Sequence, residues 1–213
     1  MSNYQLDQEL YIHPTPAGAY YSISGLERTP SRQLLFALFK QRDTPKFSLE
    51  SVKEWLQEPD DDKALELLYH MQKVGWIEGL TEPKEAPIGV LEELLPQFLS
   101  TLSDKAILAD EQGFYIASHG FPHETAEALS VLSAELATIY DKRQGVLKSN
   151  LGLKTSAWGL VDVAGNSQIG FWPMHIGEQC FVLIIGGAPR LNQPQLTTMV
   201  WALTTRYGNH TGG

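Results

Sequence analysis

Ala106–Tyr140, AILADEQGFYIASHGFPHETAEALSVLSAELATIY, is the stretch from which the fold can be read outward. Ala106–Ala109 and Phe114–Ser118 are short apolar runs of strand length. Asp110-Glu111-Gln112-Gly113 between them is turn chemistry, with Gly113 suited to a positive φ. Gly120-Phe121-Pro122 then leads into a long helix whose first turn lies at Pro122 or His123. On a 3.6-residue wheel Leu129, Leu132, Leu136, Ile139 and Tyr140 gather on one side, with Ala126, Ser130, Ser133 and Ala137 as a stripe of small residues beside them. The large groups are expected on the sheet. The small stripe would let a second helix approach closely, either from another copy of the chain or from a neighbouring element of the same one. Glu124, Glu127, Glu135 and Lys142 fill the solvated arc.

Upstream, Ile88–Ser103 has the apolar spacing of a helix, with Pro96 inside it. An interior proline costs about 3 kcal/mol, so the helix is expected to start late or to kink. Downstream, Gly145–Leu153 reads as a loop, and Ala157–Val163, Gln168–Met174 and Gln179–Gly186 read as strands with turns at Gly165-Asn166 and His175–Glu178. Pro173 cannot donate to a strand ladder and points to a strand end or a sheet edge. Pro194–Tyr207 forms a closing helix, and Gly208–Gly213 is expected to be disordered.

The first third has a different texture. Glu9–His13 and Ala19–Ser24 are β-prone runs separated by Pro14-Thr15-Pro16-Ala17-Gly18. Helices are expected at Ser31–Gln41, after Ser48 as N-cap, and from Asp60-Asp61-Asp62 to a stop at Gly75. Trp76–Leu80 then reads as a short strand. Thr81–Pro87 is polar, holds two prolines, and reads as an interdomain linker.

Composition sets outer limits. The 213 residues are 43% hydrophobic with a formal charge of −9, enough for a real core and unfavourable for non-specific binding to nucleic acid or anionic membrane. No apolar run approaches the ~18–20 residues of a membrane span. The N-terminus lacks the basic start and apolar block of a signal peptide, and the single cysteine cannot form an internal disulfide. A cytoplasmic protein without membrane contact is expected.

Two resemblances follow from the order of elements. Three short helices and a strand over 29–82 resemble a winged-helix domain, which brings DNA binding to mind. The third helix, however, would turn Asp60, Asp61, Asp62 and Glu66 towards phosphates against only Lys63 and Lys73, and it has no arginine to read guanine edges. A winged helix that contacts protein is the favoured reading. The second resemblance is carried by AILADEQGFYIASHG, the Ala-rich helix after it, and the late strand FVLIIGG. In the order helix, two strands, helix, three strands, helix, these resemble the roadblock family of dynein-light-chain and bacterial GTPase-regulator domains over 88–207. The expected fold class is α+β: an N-terminal extension (1–28), the winged-helix-like domain (29–82), a linker (83–87), a roadblock-type five-stranded antiparallel sheet with its helices (88–207), and a tail (208–213).

The resemblance implies a non-enzymatic homodimer that extends its sheet, pairs its central helices and binds a Ras-like small GTPase. The expected dimer interface is Ala126, Ser130, Ser133, Ala137 and Trp158, and the candidate GTPase contacts are Glu127, Val131 and Glu135. The family motif supplies no catalytic residue. A transcriptional regulator with a winged-helix DNA reader and a sensory dimerisation domain is the alternative.

The sequence offers little independent chemistry. Gly186-Gly187-Ala188-Pro189-Arg190 lacks the spacing and the lysine of a phosphate loop, and there is no Gly-x-Ser-x-Gly. Cys180 lies inside an apolar strand and reads as a small buried hydrophobe. His119 and His123 are separated by Gly120 and Pro122, which break the helical turn that would aim both at one metal. His13, His70 and His175 have no companion at useful spacing. No catalytic residue, cofactor or metal is expected. The five tryptophans sit at apolar positions. Trp158 and Trp172, on neighbouring strands, are expected to share one sheet face, which would be a partner surface if helices leave it bare.

Overall fold

The computed structural model describes residues 9–150, 152 and 155–208. Most of the expected tail, part of the expected 145–153 loop, and the first eight residues of the expected N-terminal extension lie outside the described residues. Five strands, β3 (Ala106–Asp110), β4 (Tyr115–His119), β5 (Trp158–Val161), β6 (Ser167–Ile176) and β7 (Gln179–Gly186), form one antiparallel sheet in the order β4-β3-β7-β6-β5. Strand alternation divides the side chains between two faces. Leu108, Met174, Ile176, Phe181, Leu183 and Ile185 point to one face, and Ile107, Ala109, Phe171, Val182 and Ile184 to the other.

The first face is covered by α5 (Leu91–Leu102) and α7 (Pro194–Tyr207). Helix α5 begins three residues later than the apolar pattern suggests and keeps Pro96 inside it. The second face is covered by α6 (His123–Gln144), which runs on into a π-helical turn at Gly145–Asn150. The helical path therefore continues where a loop was expected, because Gly145 adopts the right-handed helical conformation (φ −58°, ψ −41°) and does not stop the helix.

In the N-terminal third, β1 (Tyr11–Pro14) pairs antiparallel with β2 (Ile77–Leu80) around α2 (Pro30–Phe39), α3 (Leu49–Leu56) and α4 (Asp61–Lys73). Asp60 caps α4, its side chain accepting from Lys63 N. The expected strand at Ala19–Ser24 is instead α1 (Pro16–Ile23). Thr15 is its N-cap, accepting from Gly18 N, and Pro16 stands in the first turn where a missing N–H costs nothing. Burial of Gly18, Ala19, Ser22 and Ile23 along one face outweighs the β-propensity of Tyr20, Tyr21 and Ile23.

Helix α1 joins the two parts of the chain. Ala19 and Ile23, together with Phe39, belong to the same apolar core as the α5–α7 face of the sheet. Gly18 lies so close to Trp76 that a Cβ there would fall 1.9 Å from the Trp76 carbonyl oxygen. The Trp201 indole of α7 donates to the Gln41 carbonyl at 2.9 Å. The segment read as a linker is also stitched down: Lys84 N donates to Thr44 Oγ1 at 2.8 Å, and Ala86 N to the Arg42 carbonyl at 2.8 Å.

Candidate functional site

The surface that distinguishes this fold lies on the α6 side of the sheet. Helix α6 packs on β3, β4 and β7. On the same face Trp158 and Ile169 stay half-buried, and Leu160, paired with Ile169, is 58% exposed. The side of α6 next to this bare strip carries half-buried Leu129 and Leu136, then Leu132 and Ile139, which are 36% and 49% exposed. Val161 and Val163 lie exposed on or just past β5, whose outer edge has no strand neighbour among the described residues. Large apolar side chains from a helix and a sheet edge thus share one open surface, the usual mark of association.

This redraws the two faces read from the α6 wheel: Tyr140 is buried and Leu129 and Leu136 pack on the sheet as expected, but the small stripe is seated there with them. Ala126, Ser130 and Ser133 are fully buried against the chain's own sheet, and Ala137 is half-buried beside them, so the small stripe does not present a surface to a second helix. Small side chains let α6 sit close to β3 and β7. Ser130 and Ser133 satisfy their hydroxyls within the helix, donating to the carbonyls of Ala126 at 2.8 Å and Ser130 at 2.7 Å. Leu132 and Ile139, assigned to the sheet, face outward. Trp158, the remaining expected interface residue, does lie at the bare strip, although its indole N–H is buried with no acceptor among the described residues. The expectation that Trp158 and Trp172 share a face also fails. Trp158 stands opposite Phe171, so Trp172, one residue on, points to the other side and packs on the α5–α7 core. Pro173 lies past the end of β5, on the part of β6 where no strand among the described residues adjoins that edge.

Glu127, Val131 and Glu135 are exposed, Glu135 beside Ile139 and Glu127 and Val131 on the far flank of α6. Glu127 is engaged there: His123 Nε2 lies 3.4 Å from its carboxylate, and His123 Nδ1 lies 2.7 Å from the Tyr115 hydroxyl. His123 thus bridges β4 to the first turns of α6. Among the described residues no group of three His, Cys, Asp or Glu side chains is placed to hold a metal.

At the C-terminal half of α6 the bare strip deepens into a cleft of about 650 Å3. Phe171, Val182 and Trp158 line it from the sheet, Leu136, Tyr140 and Asp141 from α6, and 24–27 from the α1–α2 connection. That connection is pinned by Arg32, whose Nε donates to the Tyr21 carbonyl at 3.0 Å and whose Nη1 reaches the Glu27 carbonyl at 3.3 Å. The guanidinium lies 4.5 Å above the Tyr21 ring, which is itself stacked on Trp76 at 3.8 Å. Pro173, His175 and Cys180 of the β6–β7 hairpin complete the lining. Burial, reinforced by the negative charges of Glu111 and Asp141, pushes the Cys180 thiol up to about 11, far from a reactive thiolate. Burial and Asp141 likewise raise the Tyr140 phenol.

The sequence carries a signal for this surface in the large apolar residues of α6. The wheel separates large from small residues correctly but does not say which group seats the helix. The cleft had no local signal, because its walls come from segments more than a hundred residues apart in the chain.

No protein-family model and no curated protein matches this sequence. Among solved structures the chain is similar to a Roadblock/LC7 domain from Streptomyces avermitilis, with 14% identity over 53% of this chain and 92% of that one at a TM-score of 0.36. It is similar to Myxococcus xanthus MglB at 14% identity, covering 55% and 86% of the two chains with a TM-score of 0.38. It is also similar to the gliding protein MglB from Thermus thermophilus, at 18% identity, covering 59% and 96% with a TM-score of 0.37.

Proposed function

We propose that this chain is a non-enzymatic homodimeric adaptor that binds a Ras-like small GTPase. The observation that carries the dimer is the bare strip beside α6. Two strands spaced ~4.8 Å apart make a shelf about 10 Å wide, the diameter of one helix. A second copy related by a two-fold axis would lay its own α6 against Leu132 and Ile139 and its β5 against the free β5 edge. Charge favours an antiparallel pairing of the helices, since α6 opens with Glu124 in its first turn and closes with Lys142 and Arg143. A crossing centred on Ser133–Ala134 sets Glu124 of one copy opposite Arg143 of the other and Ala128 opposite Ile139. The GTPase partner comes from the roadblock resemblance of 106–120 and the element order. Glu127 and Val131, on the flank of α6 away from the shelf, stay accessible to it in such a dimer, whereas Glu135 falls opposite Leu132 of the second copy at the edge of the interface.

Sedimentation equilibrium at micromolar concentration should show a dimer, and immobilised chain should capture Ras-like GTPases of its source organism in a nucleotide-dependent way. A monomer throughout that range, or equal indifference to GDP- and GTP-analogue-loaded GTPases, would refute the reading. The transcriptional-regulator alternative draws its only support from the α2–α3–α4 and β1–β2 arrangement. The acidic start of α4 weighs against it: Asp61 and Asp62 occupy the first helical turn, so salt-sensitive DNA binding is not expected.

A further inference from the structure

We propose that the cleft between the α1–α2 connection and the C-terminal half of α6 receives the β5–β6 turn of a second copy, with Val163 at its tip. The inference rests on the dimer proposed above and adds what its sheet edge carries into place. Val163 is fully exposed, the most exposed large apolar side chain among the described residues. Its turn is held in shape from within. The Asp162 carboxylate accepts from Ala164 N and Asn166 N, each at 2.9 Å, and Gly165 N donates to the Asp162 carbonyl at 3.0 Å. A turn already fixed in one shape loses little freedom when it docks.

Symmetry decides where that turn goes. Side chains directly opposed in an antiparallel ladder share one face of the sheet. A two-fold axis between two β5 edges therefore sets one residue opposite its own copy. With Gly159 on the axis, Trp158 stands opposite Leu160 of the second copy, and the pair occurs twice. Both side chains lie on the α6 face, where Leu160 is 58% exposed. With Leu160 on the axis, Trp158 would instead meet Asp162, a ring against a carboxylate. The Gly159 register is the apolar one, and it carries 162–163 of the second copy to 155–156 of the first. Those residues stand at the mouth of the cleft. Ser156 lines it, and the hydroxyl of Tyr140, another lining residue, donates to the Thr155 carbonyl at 3.4 Å.

The cleft suits an apolar tip. Trp158, Phe171, Val182, Leu136 and Pro173 line its volume of about 650 Å3, and Leu26, 71% exposed, stands on the α1–α2 wall. The β5 edge is only four residues, roughly 13 Å of strand. That is a small part of the roughly 800 Å2 that each partner of a stable dimer buries. A turn seated in the cleft adds to the buried area twice, once in each copy, and draws the N-terminal third into the interface.

The test uses the full chain with Cys180→Ala as background. Val163→Cys and Leu26→Cys chains are mixed and treated with a short bismaleimide, and a covalent pair holding one of each should form. Val163→Cys mixed with Phe114→Cys, an exposed position at the β4 end of the sheet, should give none. By sedimentation equilibrium Val163→Asp should raise the dimer dissociation constant at least about tenfold at an unchanged melting temperature. Should that variant melt early, Val163→Ser is read in the same way. A dimer indifferent to Val163, or cross-linking to Leu26 no stronger than to Phe114, would overturn this docking and leave the dimer itself standing. An unmodified chain that stays monomeric would overturn both.

Discussion

Replacing Leu132 and Ile139 together by alanine should abolish self-association at micromolar concentration at a modest cost to the stability of the folded chain. The two side chains are 36% and 49% exposed, so a partner could still bury roughly a third to a half of each. Full burial of a leucine or isoleucine is worth about 1.5–3 kcal/mol, which leaves about 0.5–1.5 kcal/mol per side chain to be gained at an interface. A two-fold dimer contains each side chain twice. Allowing for what alanine retains, the double substitution should cost about 3 kcal/mol per dimer, or roughly a hundredfold in Kd. Within one chain the loss is also about 1–3 kcal/mol, because half to two-thirds of each side chain is already covered there, with alanine's better helix propensity offsetting part of it. The control is Ser133→Leu. Ser133 is buried under α6, so a leucine there should overpack the helix–sheet contact and cost about 1–3 kcal/mol of folding stability. Sedimentation equilibrium reads the first effect and thermal unfolding by circular dichroism the second. An unchanged dimer constant in the Leu132/Ile139 variant would refute the assignment of the outward face. A Ser133→Leu variant that folds normally and loses only dimerisation would restore the small stripe as the interface.

Three further outcomes follow from single contacts. Gly18→Ala should lower the melting temperature by several degrees, because the new methyl would collide with the backbone of Trp76 at the joint between α1 and β2. His13 is buried, its Nδ1 has no partner among the described residues, and burial followed by the charge of Lys84 depresses it to about 4. Below its ordinary pKa of 6.5 the unfolded chain takes up this proton and the folded chain does not, so stability contributed by neutral His13 is complete above pH 6.5 and is lost as pH falls towards 4. His13→Phe should flatten the urea midpoint across that window, and an equally steep decline in the variant would count against the assignment. Asp162 accepts from Ala164 N and from Asn166 N, each at 2.9 Å, which closes the β5–β6 turn and holds its carboxyl below the usual range. Asp162→Ala should loosen the β5 edge, seen as faster amide exchange at 158–161, and weaken self-association with it.

Much of the fold was legible because it depends on local signals. Gly113 at φ +89° closes the β3–β4 turn that Asp110–Gly113 announced, and Asp110 Oδ1 accepts from both Gln112 N and Phe114 N at 2.9 Å. The continuous apolar run in 179–186 and the spacing of Leu196, Met199, Val200 and Leu203 placed β7 and α7 on the core correctly. Helix α1 was missed because Tyr20, Tyr21 and Ile23 speak for a strand. The opposing signal was short: a Thr-Pro cap followed by Ala17, Gly18 and Ala19, small enough to fit under Trp76 and against α7. The register of β5 on β6 decides the separation of Trp158 from Trp172. It depends on an irregularity at Leu160/Val161 that pattern alone does not expose.

The outward placement of Leu132 and Ile139 has a more general cause. A wheel sorts residues by size, and the usual rule then places the largest apolar groups inside. That rule assumes one helix covers all the sheet it faces. Here α6 packs chiefly on β3, β4 and β7, so two kinds of contact compete for its apolar surface. The contact beneath the helix favours small residues, since Ala126, Ser130 and Ser133 bring its backbone down onto Ile107, Val182 and Ile184. Long side chains at those positions would lift the helix and open a gap above the sheet. The contact beside the helix favours large residues, since Leu129, Leu132, Leu136 and Ile139 must reach out over the uncovered β5–β6 strip. Large outward groups on a helix with a small-residue seat are therefore a signal in their own right. Under the proposed dimer the missing cover of the sheet comes from a second copy, which would join at the β5 edge that has no strand neighbour among the described residues.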